Sequence, residues 1–172
     1  MTFDIKASRR TTVGTLAAIF LLGAAGTSNA EPPPKWIVGT WVLAAADKLL
    51  TDGTRVSDYG ADPHGLCIFT SDGYYSLQIY RTERLKFASG DKFSGSPEEY
   101  KDASIGMSVH FGRYSVDPVK HTITFHVDRN SVPNQDDTTA ERTYELNGDE
   151  LSWKVAARKD GTIPLTVLRK AK

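Results

Sequence analysis

The chain has 172 residues, and its 21 lysines and arginines balance its 21 aspartates and glutamates. A balance that even leaves no basic footprint for nucleic acid and no polybasic patch for a membrane surface. Cys67 is the only cysteine, so an internal disulfide is excluded and stability must come from burial of a core. The thiol itself reads as a small buried apolar group rather than a reactive one.

The first thirty residues read as a signal peptide. Lys6, Arg9 and Arg10 form a positive start, Val13 to Ala25 is apolar, and Ser28-Asn29-Ala30 supplies the small residues a signal peptidase recognises. The apolar run is short for a membrane span, and Pro32-Pro33-Pro34 stops any helix after it. Cleavage is expected after Ala30, with an uncleaved anchor as the alternative. The domain then runs over 31–172, in the periplasm or secreted, with no stable membrane anchoring. Ser8-Arg9-Arg10 leaves both the general and the twin-arginine export routes open. The mature domain keeps 18 cations against 20 anions and is long enough for one core.

Short β-type runs separated by turn residues fill the rest of the chain. Strands are expected at Ile37 to Ala45, Leu66 to Thr70 and Tyr74 to Arg81, the last two joined by Ser71-Asp72-Gly73. Met107 to Val116 and His121 to Arg129 follow, joined at Asp117-Pro118. Arg142 to Leu146 and Leu151 to Ala157 flank Asn147-Gly148-Asp149, and Ile163 to Arg169 is the last run. The fold class is therefore all-β. Eight antiparallel strands are also the number that closes into a barrel able to hold one small ligand, and closure removes exposed edges.

Thr82 to Gly106 breaks this rhythm. It is too long for a hairpin loop, and Ser96-Pro97-Glu98-Glu99 is a capping box with proline at the first helical position. A short helix over Pro97 to Ala103 is expected. Phe87, Phe93 and Tyr100 suggest that the segment packs as a lid over one barrel mouth. The capping box accounts for Glu99 and solvation for Glu98, so that pair is not read as catalytic.

Several segments, in order along the chain, resemble the bacterial lipocalin-like domain family. They are Val38-Gly39-Thr40-Trp41, Gly65 to Gly73, Arg84 to Ser89, Ser96 to Tyr100, Phe111 to Asp117 and Gly148-Asp149-Glu150-Leu151. The resemblance implies a lipocalin-like barrel around a cavity, with Trp41 as the plug of its closed end. It also implies an arginine of the last strand packed over that tryptophan, for which Arg169 is the matching residue. Function does not follow from such a fold. Two departures stand out: Leu85 where the family usually has proline, and Gln135-Asp136-Asp137 where it often has an aromatic residue and glycine. The second makes one loop more polar.

Strand alternation sorts side chains between the two faces. Along Tyr74 to Arg81 it leaves two choices, a face of Tyr75, Leu77, Ile79 and Arg81 or one of Tyr74, Ser76, Gln78 and Tyr80. The first, being more apolar, is preferred for the interior; His110 and Tyr114 also turn inward. Tyr144 and Arg142 share a face with Leu146, and Trp153 completes the expected ligand-lining set. Arg142 is the charge of most interest, because a guanidinium inside a barrel is costly unless paired or wet. It reads either as an anchor for a ligand carboxylate or enolate, or as half of an internal salt bridge or a rim residue. Parity places His126 outside, although a histidine among threonines also suits a polar cavity.

The four histidines show no helical metal-binding pair, and phosphate, dinucleotide and nucleophile-elbow motifs are lacking. No catalytic residue, metal or cofactor is therefore assigned. The preferred function is binding of a small apolar or amphipathic molecule. The alternatives are a cofactor-independent isomerase or cyclase using the barrel interior, and a packed structural or assembly barrel.

Overall fold

The computed structural model describes residues 32–172, so the expected signal peptide lies outside the described residues. Nine strands and one helix follow one another in the order β1 (Gly39–Leu49), β2 (Arg55–Ser57), β3 (His64–Phe69), β4 (Tyr74–Tyr80), α1 (Pro97–Ile105), β5 (Met107–Asp117), β6 (Thr122–Asn130), β7 (Thr138–Asn147), β8 (Glu150–Lys154) and β9 (Ile163–Lys170). All pairings are antiparallel between neighbours, and β9 pairs back on β1, which closes the barrel with eight strands. The extra strand, β2, is a three-residue flap against the far end of β1.

Local chemistry explains this order. The Asp72-Gly73 turn places Gly73 at φ 87°, a conformation that suits residues without a Cβ. One register shift, between Phe111 and Gly112 of β5, bends the wall. A Cβ on Gly112 would fall 2.0 Å from the His126 carbonyl oxygen, so only glycine lets the strands approach there.

Antiparallel registry gives the barrel two unlike ends. Near the start of β1 the interior is filled. Ile37, Trp41, Phe69, Ile123, Phe125, Leu151 and Leu168 are all essentially without solvent contact. Trp41 plugs this end, its Nε1 donating to the Ile37 carbonyl at 2.7 Å. The cation over its ring is Lys170 rather than Arg169. Lys170 Nζ lies 4.6 Å from the ring centroid and donates to the carbonyls of Trp36 and Val38, both at 2.6 Å. Registry is the reason: Trp41 faces Lys170 across the β1–β9 pair, whereas Arg169 faces the exposed Val42 and points outward to Glu150 at 3.3 Å.

The long segment between β4 and β5 contains the expected helix with its capping box. Ser96 Oγ accepts from the Glu99 backbone N–H, and the Glu99 carboxylate accepts from Ser96 N–H at 2.7 Å and Ala88 N–H at 2.6 Å. Phe87 packs edge-on against Tyr100, and Asp102 ties Arg81 and the Leu85 N–H to the helix. The expected position across the mouth is not observed. Arg84 lies over the ring of Tyr80, an outward residue of β4, and no residue of 82–106 borders the interior cavity. Beyond Thr82, which donates to the Tyr59 carbonyl and accepts from the Asp62 N–H, the segment uses its carboxylates on its own backbone and at its base, and so forms an arm beside the barrel.

Candidate functional site

Opposite the plug, the barrel opens into a cavity of about 530 Å³. Leu77 and Ile79 of β4, His110 of β5 and Arg142 of β7 stand inside it, because strict alternation turns every second residue of these strands inward. Tyr59, the loop around Ser131 and Gln135, and the β8–β9 connection around Ala156 and Arg158 form its rim. Gln135, from the loop where polarity was anticipated, is thus a rim residue and sits in a single 3₁₀ turn, Pro133–Gln135.

Arg142 defines the chemistry of the inner end. Its guanidinium lies 5.4 Å from the centroid of the fully buried Phe125 ring. Its Nε is buried with no hydrogen-bond partner, and none of the eight ion pairs among the described residues includes it. The internal salt bridge is therefore not formed among the described residues. Burial lowers the Arg142 pKa, although a guanidinium stays charged at any ordinary pH.

Beside it, Nδ1 of His110 is 2.8 Å from the Tyr75 hydroxyl. Burial, followed by the positive charge of Arg142, pushes the His110 pKa down to about 4. Burial likewise pushes the Tyr75 hydroxyl well above its ordinary range. Both rings are neutral at physiological pH, so Arg142 is the one charged residue among the described residues lining the inner end, the nearby carboxylate of Asp128 being exposed to solvent.

The expected lining residues divide into two groups. Leu77, Ile79, His110 and Arg142 border the cavity directly, with Tyr75 behind His110. Trp153 is buried against Phe125 at 5.5 Å between centroids and does not border the cavity; its Nε1 also has no partner. Tyr114 and Tyr144 belong to the filled end. Tyr114 donates to the Thr70 carbonyl at 2.8 Å, and burial raises its pKa to about 12. Tyr144 stacks on His121 and packs against Trp36. His126 faces outward and contacts Thr139 Oγ1 at 3.1 Å. Cys67 is fully buried, and burial pushes its thiol pKa up.

Sequence reasoning missed the rim. Asp58 holds Lys48 at 3.0 Å and grips Arg158 with both oxygens, at 3.1 and 2.5 Å. Together these pairs hold the Asp58 carboxyl below its usual range despite its partial burial. Local spacing carries no cue for this pair, since Asp58 and Arg158 are 100 residues apart.

The sequence profile described as the lipocalin-like domain matches residues 38–171, which is the whole barrel. The chain belongs to the lipocalin-like domain family. Among solved structures, it is similar to a lipocalin-like protein from Bacteroides uniformis, at 16% identity and a TM-score of 0.40. That match covers 79% of this chain and 99% of the other. No curated protein matches the chain.

Proposed function

We propose that this lipocalin-like barrel binds a small, largely apolar molecule in its open half, outside the cytoplasm after loss of the N-terminal signal. The observation that carries this reading is the cavity itself. Its volume of about 530 Å³ lies within the range of small-molecule sites, roughly 300–1,000 Å³. Its lining is mixed, with apolar wall from Leu77, Ile79, Ala46 and Val155, polar groups such as Ser108, Asn130 and Thr166 between them, and His110 and Arg142 at the inner end. That combination lets the wall supply affinity while the polar groups set orientation. A barrel serving only as a packed structural element has no need of such a space.

The enzyme alternative has one foothold, the Tyr75–His110 pair next to Arg142. A histidine with a pKa near 4 is a weak base, however, and general acid–base catalysis works best with a pKa near the operating pH. Carriage is therefore the reading preferred.

The test uses N-phenyl-1-naphthylamine, a neutral apolar dye that brightens on leaving water. Wild-type protein should take up one dye per chain, and Ser108→Trp, which places an indole in the cavity wall, should abolish that uptake. Dye binding that is absent, or unchanged in the folded variant, defeats the proposal. Native mass spectrometry of protein purified from the periplasm then reads the mass of any co-purified molecule.

A further inference from the structure

Resting on the binding reading above, we infer that the ligand is a monoanion, entering head first, whose acceptor-only oxygen head (a carboxylate or an enolate) is held by Arg142. The inner end of the cavity holds a guanidinium that meets no acceptor among the described residues. Among the described residues, Arg142 has no carboxylate partner and its Nε has no hydrogen bond. A guanidinium presents five N–H donors in a fork that fits a planar pair of oxygens, and it accepts nothing. An ammonium or other cationic head would meet like charge there, in surroundings where charge is poorly screened.

Direction follows from where the charges sit. The carboxylates bordering the cavity are near its rim and already engaged, Asp47 with Arg55 and Asp58 with Lys48 and Arg158. The uncompensated positive charge that is buried is at the inner end, over Phe125, whereas Lys159, the other cation bordering the cavity without an ion pair among the described residues, is exposed to solvent at the rim. An anion is therefore drawn past the rim, and its apolar body comes to rest against Leu77 and Ile79. One guanidinium, flanked by a neutral His110, matches one negative charge better than the two of a phosphate monoester.

Isothermal titration of the mature wild-type protein with matched probes tests this: decanoate, decanol and decylamine, then trans-cinnamate with cinnamyl alcohol. Each acid should bind at least tenfold more tightly than its alcohol, and the amine most weakly. In Arg142→Met the acid should fall to the level of the alcohol, while alcohol binding persists. Should acid and alcohol bind alike to the wild type, or the amine bind best, the head-group inference is overturned and the apolar-binding reading stands. If none of the five binds, both fall. The wild-type comparison decides the matter without any variant having to fold.

Discussion

Two cations lie over aromatic rings near opposite ends of the barrel, and their surroundings are opposite. Lys170 lies over Trp41 and donates to two backbone carbonyls, those of Trp36 and Val38. Arg142 lies over Phe125 and has no carboxylate partner among the described residues. The first arrangement uses charge to fasten the N-terminal segment across the end of the barrel. The second leaves charge uncompensated where removing it from water is costly. A cation that serves the fold has its acceptors built in, and one that does not is left to meet a partner from outside.

The largest effect is expected at the closed end. Lys170→Met removes two charge-assisted hydrogen bonds and leaves two carbonyls without their donor, which should cost about 3 kcal/mol. Urea denaturation reads this as a lower midpoint; a loss below about 1 kcal/mol would show that the ammonium is not the fastening.

At the open end, acid should be nearly as damaging. His110 has a folded pKa near 4, below the ordinary value of about 6.5 for an unfolded chain. Between those values the unfolded chain binds more protons, so stability is complete above pH 6.5 and falls as pH drops toward 4, by up to about 3 kcal/mol. Imidazole signals in an NMR titration should place the His110 midpoint near 4, and saturating decanoate should move it upward by offsetting the charge of Arg142. A midpoint above 6 in the ligand-free protein contradicts the description of this end.

Arg142→Met should behave quite unlike Lys170→Met. Taking away an uncompensated buried charge is expected to change stability by less than about 1 kcal/mol or to raise it. A loss of about 3 kcal/mol or more in the same urea experiment would mean that Arg142 has a structural partner after all. The smallest effect belongs to Arg169→Met, since that exposed pair with Glu150 is worth roughly 0–1 kcal/mol. A melting temperature that drops as far as in Lys170→Met would restore Arg169 to the role first expected of it.

That exchange of Arg169 for Lys170 shows where the sequence was readable and where it was not. Parity is legible along β5, where His110 and Tyr114 alternate with exposed Phe111, Arg113 and Ser115, and along β4, where buried Tyr75, Leu77 and Ile79 alternate with half-buried Ser76, Gln78 and Tyr80 and apolar character has to choose the face. On β9, Thr166, Val167 and Leu168 are all buried in succession, which erases the period-two signal just before the cations. A register shift between Leu43 and Ala45 on the opposing strand blurs it further. The candidate site was half legible for a related reason. Alternation gives a side chain's face but not its height along the barrel, so Tyr114 and Tyr144 were grouped with Arg142 although they pack at the other end. Height depends on how eight strands are staggered, and the Asp58–Arg158 pair depends on it completely.

The arm between β4 and β5 begins and ends at one point, where the Arg81 N–H donates to the Gly106 carbonyl at 2.9 Å. Its carboxylates, Glu99 and Asp102, serve its own backbone, and Asp102 reaches no farther than Arg81 at its base. Among the described residues, only Thr82 hydrogen-bonds beyond the arm's base, to Tyr59 and Asp62, and no strand pairing of the barrel involves the arm; surface loops of that kind tolerate changes of length and of chain connectivity. New termini opened at Gly90, with the old ones joined by a flexible linker, should yield a circular permutant that still closes its barrel. In such a permutant the chain would start and stop in the arm while every strand of the barrel kept its neighbours.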